Sequence, residues 1–332
     1  MKDSTPIAVT SRSFSRHPVL RRELLERFAN VRFNDDGLSL SGESLIAFLR
    51  GAKRAITALE PLDKRVFDAL PELEVVSKYG VGLDMIDLDA MEQHGVKLGW
   101  TPGVNSLSVA ELALAMAIEL LHRGPEATAI IRDGEWRQLV GRQLTGRIVG
   151  VIGCGNVGKE FVRLLQPFHC PILVYDLVEY PDFYESHAVR AVTFELLLRE
   201  AEVVSLHVPL DDSTRGMLNA ERLRLMRKGA ILINTARGGL VDEEELHRLL
   251  VEQHLAGAAF DVFALEPPPN RELLANSNVI ATPHIGGSTE EAILGMGRAA
   301  IEGLTRARPV GDVRHPERSE GSRRGDASLR SA

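Results

Sequence analysis

Five side chains that can bind an anion or carry a proton follow predicted strands in the second half of the sequence. They are His207, Arg237, Asp261, Glu266 and His284. Ligands of an open parallel sheet bind at the carboxyl ends of its strands, so we expect these residues to line one edge. A guanidinium can clamp a carboxylate through two parallel hydrogen bonds, and an imidazole can transfer a proton at neutral pH. Their shared position makes chance a poor explanation and indicates a catalytic site.

Three of these residues also have simpler structural explanations. Arg237 could form a surface salt bridge, Glu266 could cap a proline-rich loop, and an isolated histidine such as His284 is usually structural. The local sequence favours a functional role for two of them. Arg237 follows a predicted strand and precedes two glycines, and His284 follows a strand and a proline and also precedes two glycines.

A glycine-rich turn precedes this group in the chain. The apolar run Ile148–Ile152 predicts a buried parallel strand, and it leads directly into Gly153, Gly155 and Gly158, spaced G-x-G-x-x-G. The first glycine allows the tight turn, and the second lets the backbone approach a pyrophosphate. The third lets the following helix lie close to the strand. We therefore predict a dinucleotide-binding turn that also includes Asn156 and Val157.

The next predicted strand ends in an acidic residue, Asp176, about 20 positions after the glycines. A carboxylate at this position would accept hydrogen bonds from the adenosine ribose. The alternative is that Asp176 only caps a turn. Because a carboxylate would repel a 2′-phosphate, Asp176 favours NAD over NADP as cofactor.

Strands and helices alternate along both halves of the chain. This order predicts an α/β protein with two doubly wound, Rossmann-like parallel sheets. The last helix, from residue 290 to 306, is expected to return to the first unit. We predict a substrate domain from residues 1–101 and 286–308, an NAD domain from 102–285 inserted into it, and a disordered tail from 309–332.

Composition narrows the functional class. The chain has 332 residues, 44% of them hydrophobic and 26% charged, as in a globular protein. A net charge of −7 argues against a nucleic-acid partner. No signal-peptide core or membrane-spanning run is evident, and two cysteines make a disulfide framework unlikely to form. We expect a cytoplasmic protein with no membrane partner and no metal site.

A long helix is predicted after a break at Thr101-Pro102-Gly103. Ser108 and Glu111 have the spacing of a capping box at its start. The helix is apolar nearly all round and rich in alanine, which is typical of a core helix or of a subunit interface. We favour a homodimer formed through residues 108–122.

The ordered motifs of the chain resemble the D-isomer specific 2-hydroxyacid dehydrogenases, and most of all their phosphoglycerate-dehydrogenase-like branch. The resemblance includes YGVGLDMIDLDAM, TPGVNSLSVAELALA, GVIGCGNVG, LHVPL, LINTARGGLVDEEEL, FDVFALEPP and ATPHIGGST. It implies NAD-dependent hydride transfer at C2 of a small 2-hydroxy or 2-keto acid. The catalytic arginine, glutamate and histidine of the family match Arg237, Glu266 and His284.

The resemblance also implies roles for residues around the catalytic three. Glu266 would pair with His284 and favour its imidazolium form, and Asp261 would accept a hydrogen bond from the nicotinamide carboxamide. Backbone amides of Val81 and Gly82 would hold the substrate carboxylate without a charged side chain. The remaining cofactor contacts are expected at His207, Pro209, Thr235, Ala236, Gly286 and Gly287.

The substrate side chain stays open. Phosphoglycerate-specific relatives often carry arginines after the strand that we predict at residues 55–58, whereas this chain has Leu59, Glu60 and Pro61. A carboxylate there would repel a phosphate, which argues against phosphoglycerate. An alternative of another class is an NAD(H)-sensing binding protein, similar to the corepressors built on the same scaffold.

Overall fold

The computed structural model describes residues 2–314, which divide into two compact units. The first unit comprises the residues up to Asn105 and those from Glu290 onward, and the second comprises Ser106–Thr289. Each unit is built on its own parallel sheet. The chain therefore leaves the first unit once, completes the second, and returns.

The first unit has a five-stranded parallel sheet with the order β2-β1-β3-β4-β5. Each strand is short and buried except at the β2 edge, and helices cover both faces. The elements are β1 (Ile7–Val9), α1 (Arg12–Arg16), α2 (Pro18–Arg27), β2 (Val31–Phe33), α3 (Gly42–Leu49), β3 (Arg54–Thr57), α4 (Lys64–Ala69), β4 (Val75–Lys78), α5 (Leu88–Gln93) and β5 (Lys97–Gly99).

The second unit has a seven-stranded parallel sheet with the order β12-β11-β10-β9-β6-β7-β8. Its order reverses at β6, where Val149 lies between Ile172 on one side and Val203 on the other. The elements are α6 (Ser106–Leu121), α7 (Gly124–Arg132), β6 (Val149–Ile152), α8 (Asn156–Leu165), β7 (Ile172–Tyr175), α9 (Pro181–Ser186), β8 (Val189–Ala191), α10 (Phe194–Glu200), β9 (Val203–Leu206), α11 (Ala220–Leu225), β10 (Ile231–Asn234), α12 (Glu243–Val251), β11 (Gly257–Phe260), α13 (Arg271–Ala275) and β12 (Val279–Ala281), with a 3-10 turn at Gln166–Phe168.

Two further helices complete the first unit: α14 (Glu290–Arg306) and α15 (Val310–Arg314). Helix α14 packs on the first sheet, where Ser77 of β4 donates a hydrogen bond of 2.6 Å to the carbonyl of Ala300. The last long helix therefore belongs to the first unit. The predicted fold class of two parallel α/β domains is confirmed.

Two strands were missed by the sequence analysis. Strands β2 and β8 lie at sheet edges and have three residues each. Arg32 and Arg190 at their centres are exposed, so neither segment forms the continuous apolar run that marks a buried parallel strand.

Two local predictions were wrong. Helix α6 begins at Ser106 and not after Ser108, so Ser108 lies inside the helix and cannot form a capping box with Glu111. The predicted tail begins too early, because α15 covers residues 310–314 and Val310 is only 1% exposed. The rest of that predicted tail, residues 315–332, lies outside the described part of the chain.

Helix α6 uses much of its apolar surface inside its own unit. Ala113, Met116, Ala117, Leu120 and Leu121 are buried in a core cluster with β6, β10 and α8. Among residues 2–314, no helix has both the length and the apolar character needed to cross a bilayer.

Candidate active site

Three neighbouring strands of the second unit, β10, β11 and β12, end at the same edge of the sheet. They are parallel and in direct register, with Asn234 opposite Phe260 and Phe260 opposite Ala281. The loops that follow them carry Arg237, Glu266 and His284. The topology therefore places the three predicted catalytic residues on adjacent loops.

The loop that carries Arg237 is fixed by the last residue of β10. The side chain of Asn234 donates to the carbonyl of Arg237 at 2.8 Å and accepts from the amide of Ala236 at 3.1 Å. A Cβ on Gly238 would lie 1.9 Å from the carbonyl oxygen of Phe263, so only glycine allows these loops to touch. Arg237 is thereby held directly beside the loop that leads to Glu266.

Glu266 and His284 form a hydrogen-bonded pair. Nδ1 of His284 lies 3.1 Å from Oε2 of Glu266, and the other carboxylate oxygen accepts from the amide of Phe263 at 3.2 Å. A carboxylate can only accept, so Nδ1 carries the proton and Nε2 takes no part in the pair. The side chains are 47% and 42% exposed, and both are therefore accessible to a substrate.

The backbone of His284 has φ of +56°, in the left-handed region that few non-glycine residues occupy. Its amide donates to the carbonyl of Asp261 at 2.9 Å. Strained conformations of this kind persist only where the surrounding structure enforces them, and they concentrate at functional sites.

Asp261 enforces the conformation of this loop. One oxygen accepts from the hydroxyl of Thr282 at 2.6 Å and from the amide of Ile285 at 2.7 Å, and the other accepts from the amide of Gly286 at 2.7 Å. Asp261 is only 1% exposed. The sequence analysis assigned its carboxylate to the nicotinamide carboxamide, whereas the structure gives it partners within the loop of His284.

Ser108 of α6 supports the same loop from the other side. Its hydroxyl donates to the carbonyl of Gly286 at 2.6 Å, just before Gly287. The residue that was predicted to cap α6 is thus a buried anchor for the segment after His284.

The glycine-rich turn has the predicted geometry of a strand, a turn and a helix. Gly153 has φ of +93° directly after β6, and α8 begins at Asn156 and Val157. A Cβ on Gly158 would lie 2.0 Å from the carbonyl oxygen of Gly153, so the helix can approach the turn only because residue 158 is glycine. Nothing lies within 4 Å of the position where Gly155 would carry a Cβ.

Asp176 reaches back to this turn from the end of β7. One of its oxygens accepts from the amide of Cys154 at 2.5 Å and the other from the amide of Val178 at 2.9 Å. The carboxylate therefore lies beside the turn, where the ribose of a bound dinucleotide is expected.

Two buried polar atoms near the strand ends have hydrogen-bonding capacity that a cofactor could use. The hydroxyl of Thr235 and Nδ1 of His207 are buried, and neither has a hydrogen-bond partner in the part of the chain that the structure describes. Buried polar atoms are normally paired, so unpaired ones at a strand end suit a ligand that supplies the partner. Together with the open space at Gly155, they match a bound dinucleotide.

His207 is suited to lining the cofactor site as an uncharged side chain and not to acid catalysis. Burial lowers the pKa of its imidazole to about 3, Nε2 lies 3.0 Å from the hydroxyl of Ser205, and the ring packs against Phe161. An imidazole with this pKa is uncharged at neutral pH.

The loop after His207 is organised by Asp211. Its carboxylate accepts from the amide and the hydroxyl of Ser213, and these bonds lower the pKa of Asp211 below its usual range. Thr214 closes the turn by donating to the carbonyl of Pro209 at 2.7 Å.

Val81 and Gly82 belong to the first unit, at the carboxyl edge of its sheet. Gly80 has φ of +134°, and the indole of Trp100 donates to the carbonyl of Val81 at 2.9 Å. The loop of Val81 and Gly82 is thus held by Trp100, which follows β5.

Three residues that position the site were not predicted to do so from the sequence: Asn234, Thr282 and Ser108. A polar residue that closes an apolar strand, as Asn234 does, is a usable signal. Thr282 and Ser108 have no comparable signal, because their partners are 21 and 178 positions away.

Comparison with known proteins gives a consistent result. Residues 114–286 match the family model for the NAD binding domain of D-isomer specific 2-hydroxyacid dehydrogenases. A glyoxylate reductase from Thermococcus litoralis is 34% identical over 292 residues, which cover 85% of this chain and 88% of that protein. A hydroxypyruvate reductase from Thermotoga maritima is 38% identical over 289 residues, or 86% of this chain and 91% of that protein.

Other similarities cover a relative only in part or concern the fold. A D-3-phosphoglycerate dehydrogenase from Sus scrofa is 38% identical over 257 residues, and this chain covers 48% of it, about half its length. The solved structure of a glyoxylate reductase from Paecilomyes thermophila has a TM-score of 0.81 at 25% identity, covering 90% of this chain and 94% of that one.

Proposed function

The chain belongs to the D-isomer specific 2-hydroxyacid dehydrogenase family of NAD-dependent oxidoreductases, and we propose that its substrate is a small 2-keto or 2-hydroxy acid without a phosphate. The hydrogen bond of 3.1 Å between His284 and Glu266, next to the loop of Arg237, carries the catalytic part of the proposal. The second unit is the cofactor domain and the first is the substrate domain.

The glycine-rich turn would hold NAD, the amides at the start of α8 would bind its pyrophosphate, and Asp176 would bind its ribose. When bound, NAD supplies or accepts a hydride at nicotinamide C4. Thr235 and His207 offer their unpaired polar atoms to the cofactor from the ends of β10 and β9. We assign Pro209, Ala236, Gly286 and Gly287 to the same cofactor site as further contacts.

His284 is the proton donor for the carbonyl oxygen of the keto acid, and the base in the reverse direction. Glu266 accepts the hydrogen bond from Nδ1, which orients the ring and leaves Nε2 for the substrate. Arg237 clamps the carboxylate of the substrate and polarises its keto oxygen. In the first unit, we assign anion binding to the backbone amides of Val81 and Gly82.

The absence of a phosphate on the substrate is supported by Glu60. Its carboxylate stands at the carboxyl edge of the first sheet, where it accepts from the amide of Ala58 at 2.7 Å. A negative charge there repels a phosphate. Two relatives, of which this chain covers 88% and 91%, are named a glyoxylate reductase and a hydroxypyruvate reductase.

Oxidation of NADH followed at 340 nm tests the proposal, with glyoxylate, hydroxypyruvate, pyruvate, branched 2-keto acids and phosphohydroxypyruvate as substrates. We expect turnover of at least one small unphosphorylated acid and a much lower kcat/KM for phosphohydroxypyruvate. Tight NADH binding without turnover of any of them would instead favour the NAD(H)-sensing alternative.

We further propose a cytoplasmic homodimer. Both cysteines are free, which suits a reducing compartment. Part of α6 is buried within its own unit, and exposed apolar side chains near it add to the surface that residues 108–122 could offer to a second copy. Trp136 and Val140, which follow α7, are each 89% exposed. Light scattering at micromolar concentration should give twice the chain mass.

A further inference from the structure

The first unit places a carboxylate beside its anion-binding loop. Glu60 follows β3, whereas Val81 and Gly82 follow β4, and these two strands are neighbours in the sheet. The amide of Tyr79 donates to the carbonyl of Thr57 at 2.8 Å, which ties the two strand ends together. Glu60 therefore stands at the same edge of the sheet as the loop that is expected to bind the substrate.

One oxygen of Glu60 is fixed by the protein. Oε2 accepts from the amide of Ala58 at 2.7 Å and from the hydroxyl of Thr10 at 2.9 Å. Within residues 2–314, no donor contacts Oε1. The carboxylate is thus held rigidly by one oxygen, and the other is available to a ligand.

The positive charge of Lys78, at the end of β4, is buried and is not presented at the carboxyl edge of the first sheet. Lys78 is only 4% exposed, and its ammonium donates to the carbonyl of Ala58. The amide of Ala58 donates to Glu60, and the Glu60 residue is partly exposed. At this position a ligand therefore meets the carboxylate and not the ammonium.

We propose that Glu60 selects 2-keto acids whose side chain ends in a hydrogen-bond donor, above all a hydroxyl, and rejects anionic side chains. This inference rests on the proposed function. A carboxylate is an acceptor only, and hydrogen bonds to a charged group are stronger than those between neutral groups. A methyl group in place of the hydroxyl would leave Oε1 desolvated and unpaired.

Hydroxypyruvate and pyruvate differ by one hydroxyl, so the ratio of kcat/KM for these two substrates tests the inference. With NADH, we expect kcat/KM of the unmodified enzyme to be about 10- to 100-fold higher for hydroxypyruvate than for pyruvate. Glu60→Gln keeps an oxygen for Ala58 and Thr10 but removes the charge. It should lower that ratio by about tenfold and raise the relative rate with phosphohydroxypyruvate.

Glu74→Gln is the matched control. Glu74 precedes β4 at the opposite edge of the same sheet and pairs with Lys53 at 2.8 Å, so its loss should leave the ratio unchanged. A ratio equal in the unmodified enzyme and in Glu60→Gln, with both proteins folded by circular dichroism, would overturn the inference. A complete lack of NADH oxidation with glyoxylate, pyruvate and hydroxypyruvate would overturn the proposed function itself, which is a distinct result.

Discussion

Each unit is built on its own parallel sheet, but the two differ in the turn that follows the first strand of the sheet, β1 in the first unit and β6 in the second. In the first unit, Ser11 caps α1 and its hydroxyl accepts from the amide of Phe14 at 3.3 Å. In the second unit, the cap of α8 is Gly155, which has no side chain to accept from the helix. The free amides of a helix N-terminus attract anions. We infer that the same arrangement of strand, turn and helix suits a phosphate only where the cap has no side chain to pair with those amides.

The carboxyl edges of the two sheets differ in a second respect. The edge of the second unit carries the groups that we propose to transfer a proton and clamp an acid, namely His284 paired with Glu266, and Arg237. The edge of the first unit carries backbone amides at Val81 and Gly82 beside the fixed carboxylate of Glu60. We infer that the second unit performs the chemistry and the first unit selects the substrate.

The substitution His284→Asn should have the largest effect and tests whether the second unit performs the chemistry. Asparagine tolerates a left-handed backbone, so the loop should survive the change. We expect kcat to fall by about a thousandfold, because a positioned acid is lost, while NADH binding measured by fluorescence persists. His187→Asn, in the same unit but outside the site, should keep full activity. Wild-type kcat in His284→Asn would remove the histidine from the mechanism.

Two glycine substitutions separate folding from cofactor binding within one turn. Gly158→Ala places a Cβ 2.0 Å from the carbonyl of Gly153 and should destabilise the protein by about 1–3 kcal/mol in urea unfolding. Gly155→Ala meets no protein atom within 4 Å, so stability should be unchanged. Its affinity for NADH should still fall by about tenfold or more, because the methyl fills space reserved for the pyrophosphate. Equal stability losses in both variants would contradict this distinction.

Acid should weaken the second unit through His207. Burial lowers the pKa of His207 to about 3 in the folded protein, from an ordinary value of 6.5. Between these values the unfolded chain binds the proton and the folded one does not, so stability falls as pH drops from about 6.5 toward 3. His207→Asn should flatten the dependence of the unfolding free energy on pH between 7 and 4. An unchanged slope would mean that the imidazole does not stay neutral on folding.

The smallest expected effect concerns the loop of the first unit. Trp100→Phe removes the hydrogen bond of 2.9 Å to the carbonyl of Val81 while keeping an aromatic ring. We expect KM for the keto acid to rise about three- to tenfold with little change in kcat, since one neutral hydrogen bond is lost. A fall in kcat at constant KM would assign this loop to the chemistry and would weaken the comparison between the units.

Local sequence determined much of this molecule. The runs of Val149–Ile152 and Ile231–Asn234 predict buried strands because a parallel strand covered on both faces needs apolar residues throughout. The glycine spacing specifies the turn, because each glycine answers a steric requirement within a few residues. Arg237 and His284 stand out because of the glycines that follow them.

The partners of buried polar groups were decided only by the tertiary structure. Asp261 binds the loop of His284, Ser108 holds Gly286 across 178 positions, and Val310 enters the core of the first unit. Each of these contacts joins segments that the fold brings together from distant parts of the chain. Residue type gives the capacity of a side chain to donate or accept, but the packing of distant elements selects its partner.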